Sequence, residues 1–315
     1  MTLYLITGGA GFIGSHLAET LAAQGAQVRV LDNFSSGRRE NLRAVEKKTE
    51  IVEGDIRDRT VVQRAMRGVD YVLHQAARVS VVESFLDPEQ THAVNLSGTL
   101  NVMLEGRAAG VKRMILASSS AVYGDGPVPA REEQELQPLS PYAVTKLAGE
   151  AYARTFTEGF GLETVALRYF NVYGPRQDPA SEYSGVIARF AEALLGGMPA
   201  TIYGDGAQTR DFIFVADVVR ANLLACRAAA APGRAVNVGT GVGRTVRALL
   251  ELMAQVAGVL PEVRFAEARA GEIRHSCCDP DQARDWLGFR AQVGLAEGLK
   301  NTLEWYRQGS AGSTG

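Results

Sequence analysis

The segment TGGAGFIG at residues 7 to 14 limits most strongly what this chain can fold into. It joins an apolar run, LYLIT, to a segment of helical periodicity that begins at Phe12, and its glycines recur every third residue. Such glycines allow a tight turn, let the backbone approach a pyrophosphate and leave a helix N-terminus facing negative charge. Because ordinary turns also use glycine, the context matters: a strand precedes the loop, a helix follows it, and the next strand, QVRVLD, ends at Asp32.

The first half of the chain alternates short apolar or β-branched runs with helical patterns. The predicted strands are LYLIT, QVRVLD, EIVEG, YVLHQAA and RMILASS, and a helix is predicted from about Thr91 to Ala109. Strands separated by helices imply parallel βαβ units. Continuous apolar runs such as MILA suit a sheet that is covered on both faces. The sequence therefore predicts an α/β fold with a doubly wound parallel sheet.

The second half begins with SPYAVTK, which opens a long helix with Ser140 as its cap and Pro141 at its first position. A strand, LETVALRYFNV, follows, and beyond Gly174 the pattern loosens. Helices are predicted from about 186 to 195, after 217 and from 245 to 257, with short strands near 201 and 212 and a returning strand, AVNVGT. We predict a first domain over residues 1–175, to which about 211–240 return, a smaller discontinuous α/β lobe over 176–210 and 241–308, and a disordered tail over 309–315.

Composition excludes several classes of function. The chain has 315 residues, of which 46% are hydrophobic, so it can bury a full core. A net charge of -2 without charge runs indicates no nucleic-acid partner, and no apolar window approaches the ~20 residues that cross a bilayer. Because the opening residues already form a predicted strand, we expect no signal peptide and a cytoplasmic protein. Cys226, Cys277 and Cys278 show no metal-ligand spacing, which predicts free thiols and no metal.

Asp32 ends the second predicted strand, where a carboxylate accepts hydrogen bonds from both ribose hydroxyls of an adenosine and repels a 2′-phosphate. This position favours NAD over NADP. Arg38 and Arg39 are a counter-signal, because they could bind a phosphate; we interpret them as a solvated helix start.

Three side chains predict the chemistry. Ser119 lies at the carboxyl end of a strand, where open α/β sheets bind ligands, and Tyr142 and Lys146 lie four residues apart on one helix face. Oxidation of a carbinol needs a base for the hydroxyl proton, but a free tyrosine has a pKa near ~10. The ammonium of Lys146 and an oxidised nicotinamide would together stabilise the phenolate and lower that pKa.

The glycine loop, Asp32, SSS before VYG, and the YxxxK pair together resemble the extended short-chain dehydrogenase/reductase family over nearly the whole chain. Within it, DNFSSG, LHQAA, SPYAVTK, LRYFNVYGPRQDP, RDFIFVAD and GEIRHS are most similar to nucleotide-sugar 4-epimerases, particularly those acting on UDP-N-acetylglucosamine. The resemblance implies a Rossmann domain that binds NAD, a second lobe that binds a UDP-sugar, and a homodimer formed by the helices near 91–109 and 141–157.

The resemblance also implies two sets of site residues. The NAD site would contain Gly8, Gly11, Phe12, Ile13, Gly14, Asp32, Asn33, Asp55, Ile56, Leu73, Ala76, Ala77, Asn95, Tyr142, Lys146 and Tyr169. The sugar-nucleotide site would contain Arg78, Ser119, Asn171, Arg210, Arg269, Glu272 and Ser276. The side chains of Phe12, Ile13, Ile56 and Leu73 would serve the core even where their amides touch the cofactor.

Within the second set, Arg210 and Arg269 would bind the pyrophosphate, because a guanidinium fork holds phosphate oxygens in two places. Glu272 would bond the uridine ribose, although many relatives carry aspartate there. Ser276 would lie beside the hexose, where a small residue leaves room for a 2-N-acetyl group and predicts use of both UDP-N-acetylglucosamine and UDP-glucose. His74 is expected to bond strand-end backbone rather than to act in catalysis.

The implied mechanism passes through a 4-keto sugar, with Tyr142 as the base and Ser119 bonding the same oxygen. A dehydratase or decarboxylase is disfavoured because Ser120 and Ala121 stand where those relatives carry a carboxylate before VYG. A UDP-glucuronate 4-epimerase stays open, since it needs only a different pocket. A non-enzymatic NAD-sensing scaffold on the same fold is the alternative from another class.

Overall fold

The computed structural model describes residues 1–178, 185–268 and 273–311, with side chains to residue 308. The strands are β1 (Leu3–Thr7), β2 (Gln27–Asp32), β3 (Thr49–Glu53), β4 (Tyr71–His74), β5 (Arg113–Ser119), β6 (Glu163–Tyr169), β7 (Asn171–Tyr173), β8 (Ala200–Tyr203), β9 (Thr209–Phe214), β10 (Ala235–Val238), β11 (Gly243–Thr245), β12 (Val263–Ala266) and β13 (His275–Ser276). The helices are α1 (Phe12–Ala23), α2 (Arg59–Ala65), α3 (Val81–Leu86), α4 (Pro88–His92), α5 (Thr99–Ala108), α6 (Pro141–Phe160), α7 (Val186–Gly196), α8 (Val215–Ala225), α9 (Val246–Ala257), α10 (Asp281–Leu287) and α11 (Leu295–Ala311).

Seven parallel strands form the main sheet in the order β10-β6-β5-β4-β1-β2-β3. Side chains alternate across it, so that Ile6 joins one core cluster and Leu5 joins the cluster on the other face. Six of the seven residues of β5 are buried, as a strand covered on both faces requires. The predicted doubly wound parallel α/β fold is therefore confirmed, and the carboxyl ends of β1, β2, β4, β5 and β6 meet along one edge.

The helix predicted near Thr91 differs in detail from the helical segment observed. Asp87 caps α4, and a π-helical stretch, Ala93–Gly98, joins α4 to α5. The wider turn accommodates one extra residue, and such insertions occur often at functional sites. It includes Asn95, a predicted site residue.

The helix that opens at SPYAVTK has the predicted ends. The hydroxyl of Ser140 accepts a hydrogen bond from the amide of Ala143 at 3.1 Å, and Pro141 occupies the first turn. The helix ends at Gly161, whose φ of 74° is the left-handed conformation that terminates many helices. Fixing both ends holds the first turn, with Tyr142 and Lys146, against the edge of the main sheet.

The prediction of one continuous strand over LETVALRYFNV is wrong. Strand β6 ends at Tyr169, and β7 starts at Asn171 in a different sheet, where it pairs with β9. Phe170 lies between them, and its ring packs in a separate small cluster with Val122 and Tyr123. The apolar run continues because both sheets are buried there, so hydrophobicity alone does not mark the break.

A smaller sheet centres on β9, which pairs with β7, β11 and β13, and β8 pairs with β12. These strands and helices α7, α9 and α11 surround a second core that contains Tyr173, Phe190, Phe212 and Leu249. After β9 the chain returns to the main sheet through α8, which packs on α1, and β10. The division into two lobes at the stated boundaries stays a prediction, and residues 312–315 of the predicted tail lie outside the described residues. Among the described helices, none is long and apolar enough to cross a membrane.

Candidate active site

The glycine loop is pressed tightly between two strands. Gly8 has a φ of 68°, and its amide donates to the carbonyl oxygen of Leu31 at 2.8 Å. A Cβ added to Gly8 would lie 2.7 Å from the amide nitrogen of Ala76, and one added to Gly14 would lie 2.2 Å from the carbonyl oxygen of Gly8. Side chains are therefore excluded at both positions.

Helix α1 begins immediately after this loop. Gly11 is its cap residue, and in the described structure no side chain caps the helix and no acid lies in its first turn. The first amides of a helix attract anions when no side chain satisfies them. This loop and helix N-terminus therefore fit the pyrophosphate of a dinucleotide.

Asp32 lies at the end of β2, buried against the loop. Its carboxylate accepts hydrogen bonds from the amides of Ala10 at 2.9 Å and Phe34 at 2.8 Å, one on each oxygen. Burial raises the pKa of Asp32, and the two backbone hydrogen bonds oppose that rise. Each oxygen keeps a further lone pair, so the carboxylate can accept ribose hydroxyls while staying anchored.

The neighbouring predicted residues form a small polar cluster. The side-chain amide of Asn33 donates to Asp55 at 2.8 Å, and hydrogen bonds from the guanidinium of Arg57 lower the pKa of Asp55 to about 2. The structure thus brings Asn33 and Asp55 together beside β2 and β3. Ile56 is buried, as predicted for a core side chain.

Arg38 and Arg39, which were the counter-signal to NAD because they could bind a phosphate, have carboxylate partners. Arg38 pairs with Asp178, while Arg39 pairs with Glu53 and lies over the ring of Phe34, 4.2 Å from its centroid. Both side chains are 59% exposed. They match the interpretation as a solvated start of the short helical turn over Arg39–Leu42.

Ser119, Tyr142 and Lys146 converge at the carboxyl end of β5. Ser119 lies beside Tyr142, where its hydroxyl influences the pKa of the phenol, and Ser119 also caps the turn by accepting from the amide of Ala121 at 3.1 Å. The ammonium of Lys146 donates to the carbonyl oxygen of Ala117 at 2.8 Å and lies 5.7 Å from the centroid of the Tyr142 ring. Tyr142 and Lys146 are each only 8% exposed. The arrangement presents one phenol and one hydroxyl side by side, with a cation behind the phenol.

The predicted acidification of Tyr142, which depends on Lys146 and an oxidised nicotinamide together, stays a prediction. Burial raises the pKa of Tyr142, because the phenolate loses solvation, and the neighbouring hydroxyl of Ser119 opposes this only in part. Burial also lowers the pKa of Lys146 to about 8. The oxidised nicotinamide, which the prediction pairs with Lys146, would add positive charge that opposes this rise.

Asn95 closes the edge of the site between β4 and α6. Its side chain accepts from the amide of Arg78 at 2.7 Å and donates to the carbonyl oxygen of the same residue at 2.9 Å. Ala76 and Ala77 are half-buried and directly precede Arg78, and Leu73 is buried in the main core. The guanidinium of Arg78 itself lies 3.5 Å from Glu83 and 3.4 Å from Asp87.

Tyr169 ends β6 directly beside Ser119, its register partner in β5. Its hydroxyl contacts the side chains of Asn222 at 2.8 Å and Gln75 at 3.2 Å, and burial raises its pKa to about 12. The phenol is thus held by two amides at the base of the site. Sequence reasoning missed both of them, because they lie far from Tyr169 in the chain.

Three of the predicted sugar-nucleotide residues lie on the smaller sheet. Asn171 opens β7, and Arg210 in β9 is the register partner of Ser276 in β13. The guanidinium of Arg210 donates to the carbonyl oxygen of Thr209 at 2.8 Å. Ser276 lines a narrow cleft with Ser120 and Tyr123, so the structure links it to the Ser119 turn. Arg269 and Glu272 lie outside the described residues.

A buried ion pair behind Ser119 was also missed. Glu150 and Arg168 are 8% and 4% exposed and form several hydrogen bonds, the shortest of 2.8 Å. The hydroxyl of Ser118 donates to Glu150. Arg168 also donates to the phenol of Tyr123 at 2.7 Å. A signal was present, because Glu150 follows Lys146 by four residues and therefore shares its helix face.

Residues 4–239 match the family described as the NAD dependent epimerase/dehydratase family. The chain is 42% identical over 311 residues to the UDP-glucose 4-epimerase of Mycolicibacterium smegmatis. The aligned region covers 97% of this chain and 99% of that relative. Among solved structures, the UDP-glucose 4-epimerase of Thermotoga maritima with UDP-glucose has a TM-score of 0.94 at 38% identity, covering 98% of this chain and 100% of that chain. The UDP-N-acetylglucosamine 4-epimerase of Methanobrevibacter ruminantium, in complex with UDP-N-acetylmuramic acid, has a TM-score of 0.94 at 36% identity, covering 98% and 99%.

Proposed function

Because the chain belongs to the NAD-dependent epimerase/dehydratase family, we propose that it is a UDP-hexose 4-epimerase that works with bound NAD. The observation that carries the proposal is the placement of the Ser119 hydroxyl beside the phenol of Tyr142, with Lys146 held behind the phenol. Relatives that cover nearly the whole chain support the reaction class.

Each residue has a distinct role in this reaction. NAD, when bound, would accept hydride from C4 of the sugar and later give it back to C4 of the 4-keto form. Tyr142 takes the proton of the C4 hydroxyl, Ser119 bonds the same oxygen, and Lys146 stabilises the phenolate. The resulting 4-keto sugar turns about its pyrophosphate linkage and presents its other face. Tyr142 then returns the proton to the oxygen, and the configuration at C4 is inverted or restored.

The dinucleotide would lie along the carboxyl edge of β1, β2, β4 and β5. The amides of the glycine loop and of the first turn of α1 would bind its pyrophosphate, and Asp32 would bind the adenosine ribose. Asn33, Asp55 and Ile56 would surround the adenosine. Ala76, Ala77, Asn95 and Tyr169 would border the nicotinamide end.

We propose that the enzyme accepts N-acetylated UDP-hexoses as well as UDP-glucose and UDP-galactose. Ser276 shares its cleft with Ser120, Gly124 and Gly126 as well as with Tyr123 and Phe170, so its small side chain adds little bulk to the cleft wall. The similarity to a UDP-N-acetylglucosamine 4-epimerase supports this wider range. Arg210 and Arg269 would bind the pyrophosphate, and Glu272 would bind the uridine ribose. Asn171 would border the sugar pyrophosphate. Arg78 is assigned to the same site on resemblance alone.

We also propose that the protein is a homodimer through α5 and α6, and that it is cytoplasmic. Leu100 and Leu104 on α5 are half-buried, and Val144 and Tyr152 on α6 are 51% and 39% exposed. Their spacing of four and eight residues places each pair on one helix face, and the two helices pack together. Sedimentation of the wild type should show a dimer that Val144→Glu weakens; a monomeric wild type would contradict the assembly. The cytoplasmic location rests on the sequence alone.

The function is tested by turnover of purified protein with UDP-glucose, UDP-galactose, both N-acetyl forms and UDP-glucuronate, using a coupled assay for the 4-epimer. Interconversion within the glucose and N-acetylglucosamine pairs is expected. If only UDP-glucuronate is turned over, the protein is a UDP-glucuronate 4-epimerase and the proposed substrates are wrong. Bound NAD without turnover of any sugar would favour the NAD-sensing scaffold.

A further inference from the structure

Five buried polar side chains connect the glycine loop to the helix that carries Tyr142. Each is less than 5% exposed, and none belongs to the Ser119, Tyr142 and Lys146 group; they are Thr7, His74, Asn95, Thr99 and Thr145. Thr7 ends β1 directly before Gly8, and His74 ends the neighbouring strand β4. Asn95 lies in the π-helical stretch Ala93–Gly98, Thr99 begins α5, and Thr145 lies next to Lys146 on α6.

The contacts of His74 determine the direction of its hydrogen bonds. The hydroxyl of Thr99 lies 2.6 Å from the carbonyl oxygen of Asn95, which can only accept, so Thr99 donates there. The oxygen of Thr99 therefore accepts from Nε2 of His74 at 2.9 Å, and Nε2 carries the hydrogen. Burial lowers the pKa of His74 to about 3, so the ring is neutral and Nδ1 is an acceptor.

The other side of the ring is fixed by the same argument. Nδ1 of His74 accepts from the hydroxyl of Thr7 at 2.6 Å. The oxygen of Thr7 then accepts from the amide of Ala76 at 3.3 Å. His74 thus bonds two threonine hydroxyls and not the strand-end backbone, so the sequence-based expectation for its partner is wrong.

The remaining bonds extend the connection to Tyr142. The hydroxyl of Thr145 donates to the carbonyl oxygen of Tyr142 at 2.7 Å, so its oxygen accepts from the side-chain amide of Asn95 at 3.2 Å. That amide uses its other hydrogen on the carbonyl oxygen of Arg78. Every polar group of Asn95 is therefore engaged, and each bond has one permitted direction.

We infer that His74 is a positioning residue, which sets the geometry of the first turn of α6, and hence of Tyr142, relative to the glycine loop. An aliphatic residue could fill the same buried space without the desolvation of five polar groups. A fully satisfied polar chain instead specifies one arrangement, because any shift leaves a buried donor or acceptor unpaired. The inference rests on the proposed function, since it assigns the loop to the dinucleotide and the phenol to the reacting hydroxyl.

Two substitutions of His74 test its two hydrogen bonds separately, the one to Thr7 and the one to Thr99. The side chain of glutamine places its amide near the former Nε2, so His74→Gln keeps the donor toward Thr99 and loses the acceptor for Thr7. Asparagine places its oxygen near the former Nδ1, so His74→Asn keeps the acceptor for Thr7 and loses the donor. His74→Gln should release NAD roughly tenfold faster with kcat nearly unchanged, whereas His74→Asn should lower kcat by roughly tenfold or more with NAD release nearly unchanged.

Hydrogen exchange provides a readout apart from activity. His74→Asn and Thr99→Val should speed exchange of the amides in the first turn of α6, near Ala143. Thr7→Val should instead affect NAD release, as His74→Gln does. The two threonine variants preserve side-chain shape, so they test the inference if the His74 variants fold poorly.

Thr164→Val is the matched control. Thr164 is 1% exposed, and its hydroxyl donates to the carbonyl oxygen of Ala153, near the far end of α6. This variant should lose thermal stability but keep kcat, NAD release and exchange at Ala143. If Thr99→Val and His74→Asn change only stability, as Thr164→Val does, the inference is overturned. If the wild type shows no epimerase turnover but the variants show the predicted hydrogen-exchange and NAD-release pattern, the proposed function is rejected. The positioning role of His74 is then supported.

Discussion

The ammonium of Lys146 is held 2.8 Å from the carbonyl oxygen of Ala117, so a residue on α6 is anchored to the neighbouring strand β5. The same nitrogen lies 5.7 Å from the ring centroid of Tyr142. The cation is therefore fixed behind the phenol and stays out of solvent. This geometry makes the chemistry depend on burial as much as on charge.

Replacement of Tyr142 by phenylalanine should abolish epimerisation and leave NAD binding intact. The ring keeps its packing, but the group that accepts the hydroxyl proton is gone, which costs roughly a hundredfold or more in rate. Turnover and bound NAD are measured on the same preparation. Tyr71→Phe, at the amino end of strand β4 and therefore at the end away from the site, is the control. Turnover of Tyr142→Phe close to that control would remove Tyr142 as the base.

Gly14→Ala should prevent NAD binding. The new Cβ would lie 2.2 Å from the carbonyl oxygen of Gly8, so the loop must move away from the position that faces the pyrophosphate. Gly159→Ala is matched in chemistry, but a Cβ at Gly159 meets no atom within 4 Å. NAD affinity measured by calorimetry should fall for the first variant and stay constant for the second. Equal affinities would contradict the assignment of the loop.

Lys146 should make the free energy of unfolding depend on pH. Burial lowers its pKa to about 8 from 10.5, so the unfolded chain binds this proton more tightly than the folded one. The contribution of Lys146 to stability therefore rises with pH between these values, by about 3 kcal/mol at most. Urea unfolding of NAD-free protein across this range should give a flatter pH dependence for Lys146→Met than for wild type. The exposed substitution Lys300→Met should follow the wild type, and parallel curves for all three would refute the prediction.

Glu150→Gln should destabilise the fold by about 3 to 5 kcal/mol, because it leaves the buried guanidinium of Arg168 without its carboxylate. The double variant Glu150→Gln/Arg168→Met should recover part of that loss. Glu163→Gln removes a 49% exposed partner from Arg113, whose guanidinium keeps its hydrogen bonds to the carbonyl oxygens of Ala225 and Ala228, and should cost about 1 kcal/mol or less. Denaturant midpoints measure all three. A loss for Glu150→Gln no larger than for Glu163→Gln would show that the buried pair is not stabilising.

Ser276→Tyr should reduce kcat/KM for the N-acetylated UDP-hexoses far more than for UDP-glucose. The larger ring would fill the cleft beside Ser120, which is proposed to receive the 2-N-acetyl group. Ser276→Ala removes the hydroxyl without adding volume and should change neither preference by much. Equal losses on both sugar types in Ser276→Tyr would discredit this residue as the determinant of sugar range.

The sequence by itself determined the glycine loop, Asp32 after the second strand, and the pairing of Tyr142 with Lys146. These features depend on spacing within one turn, one strand end or one helix face, which short-range periodicity encodes. It also indicated the parallel sheet, since buried strands and helices alternate along the chain. The approach of Ser119 to Tyr142 followed from the shared sheet edge.

Only the tertiary structure decided what surrounds these groups. The bonds of His74 to Thr7 and Thr99, and of Arg168 to Glu150, join residues that local patterns cannot bring together. The sequence did not predict that β7 belongs to a second sheet, because the apolar run is buried in both sheets and continues across the break. The raised pKa of Tyr142 likewise comes from burial, which arises only when distant segments pack around the phenol and remove its water.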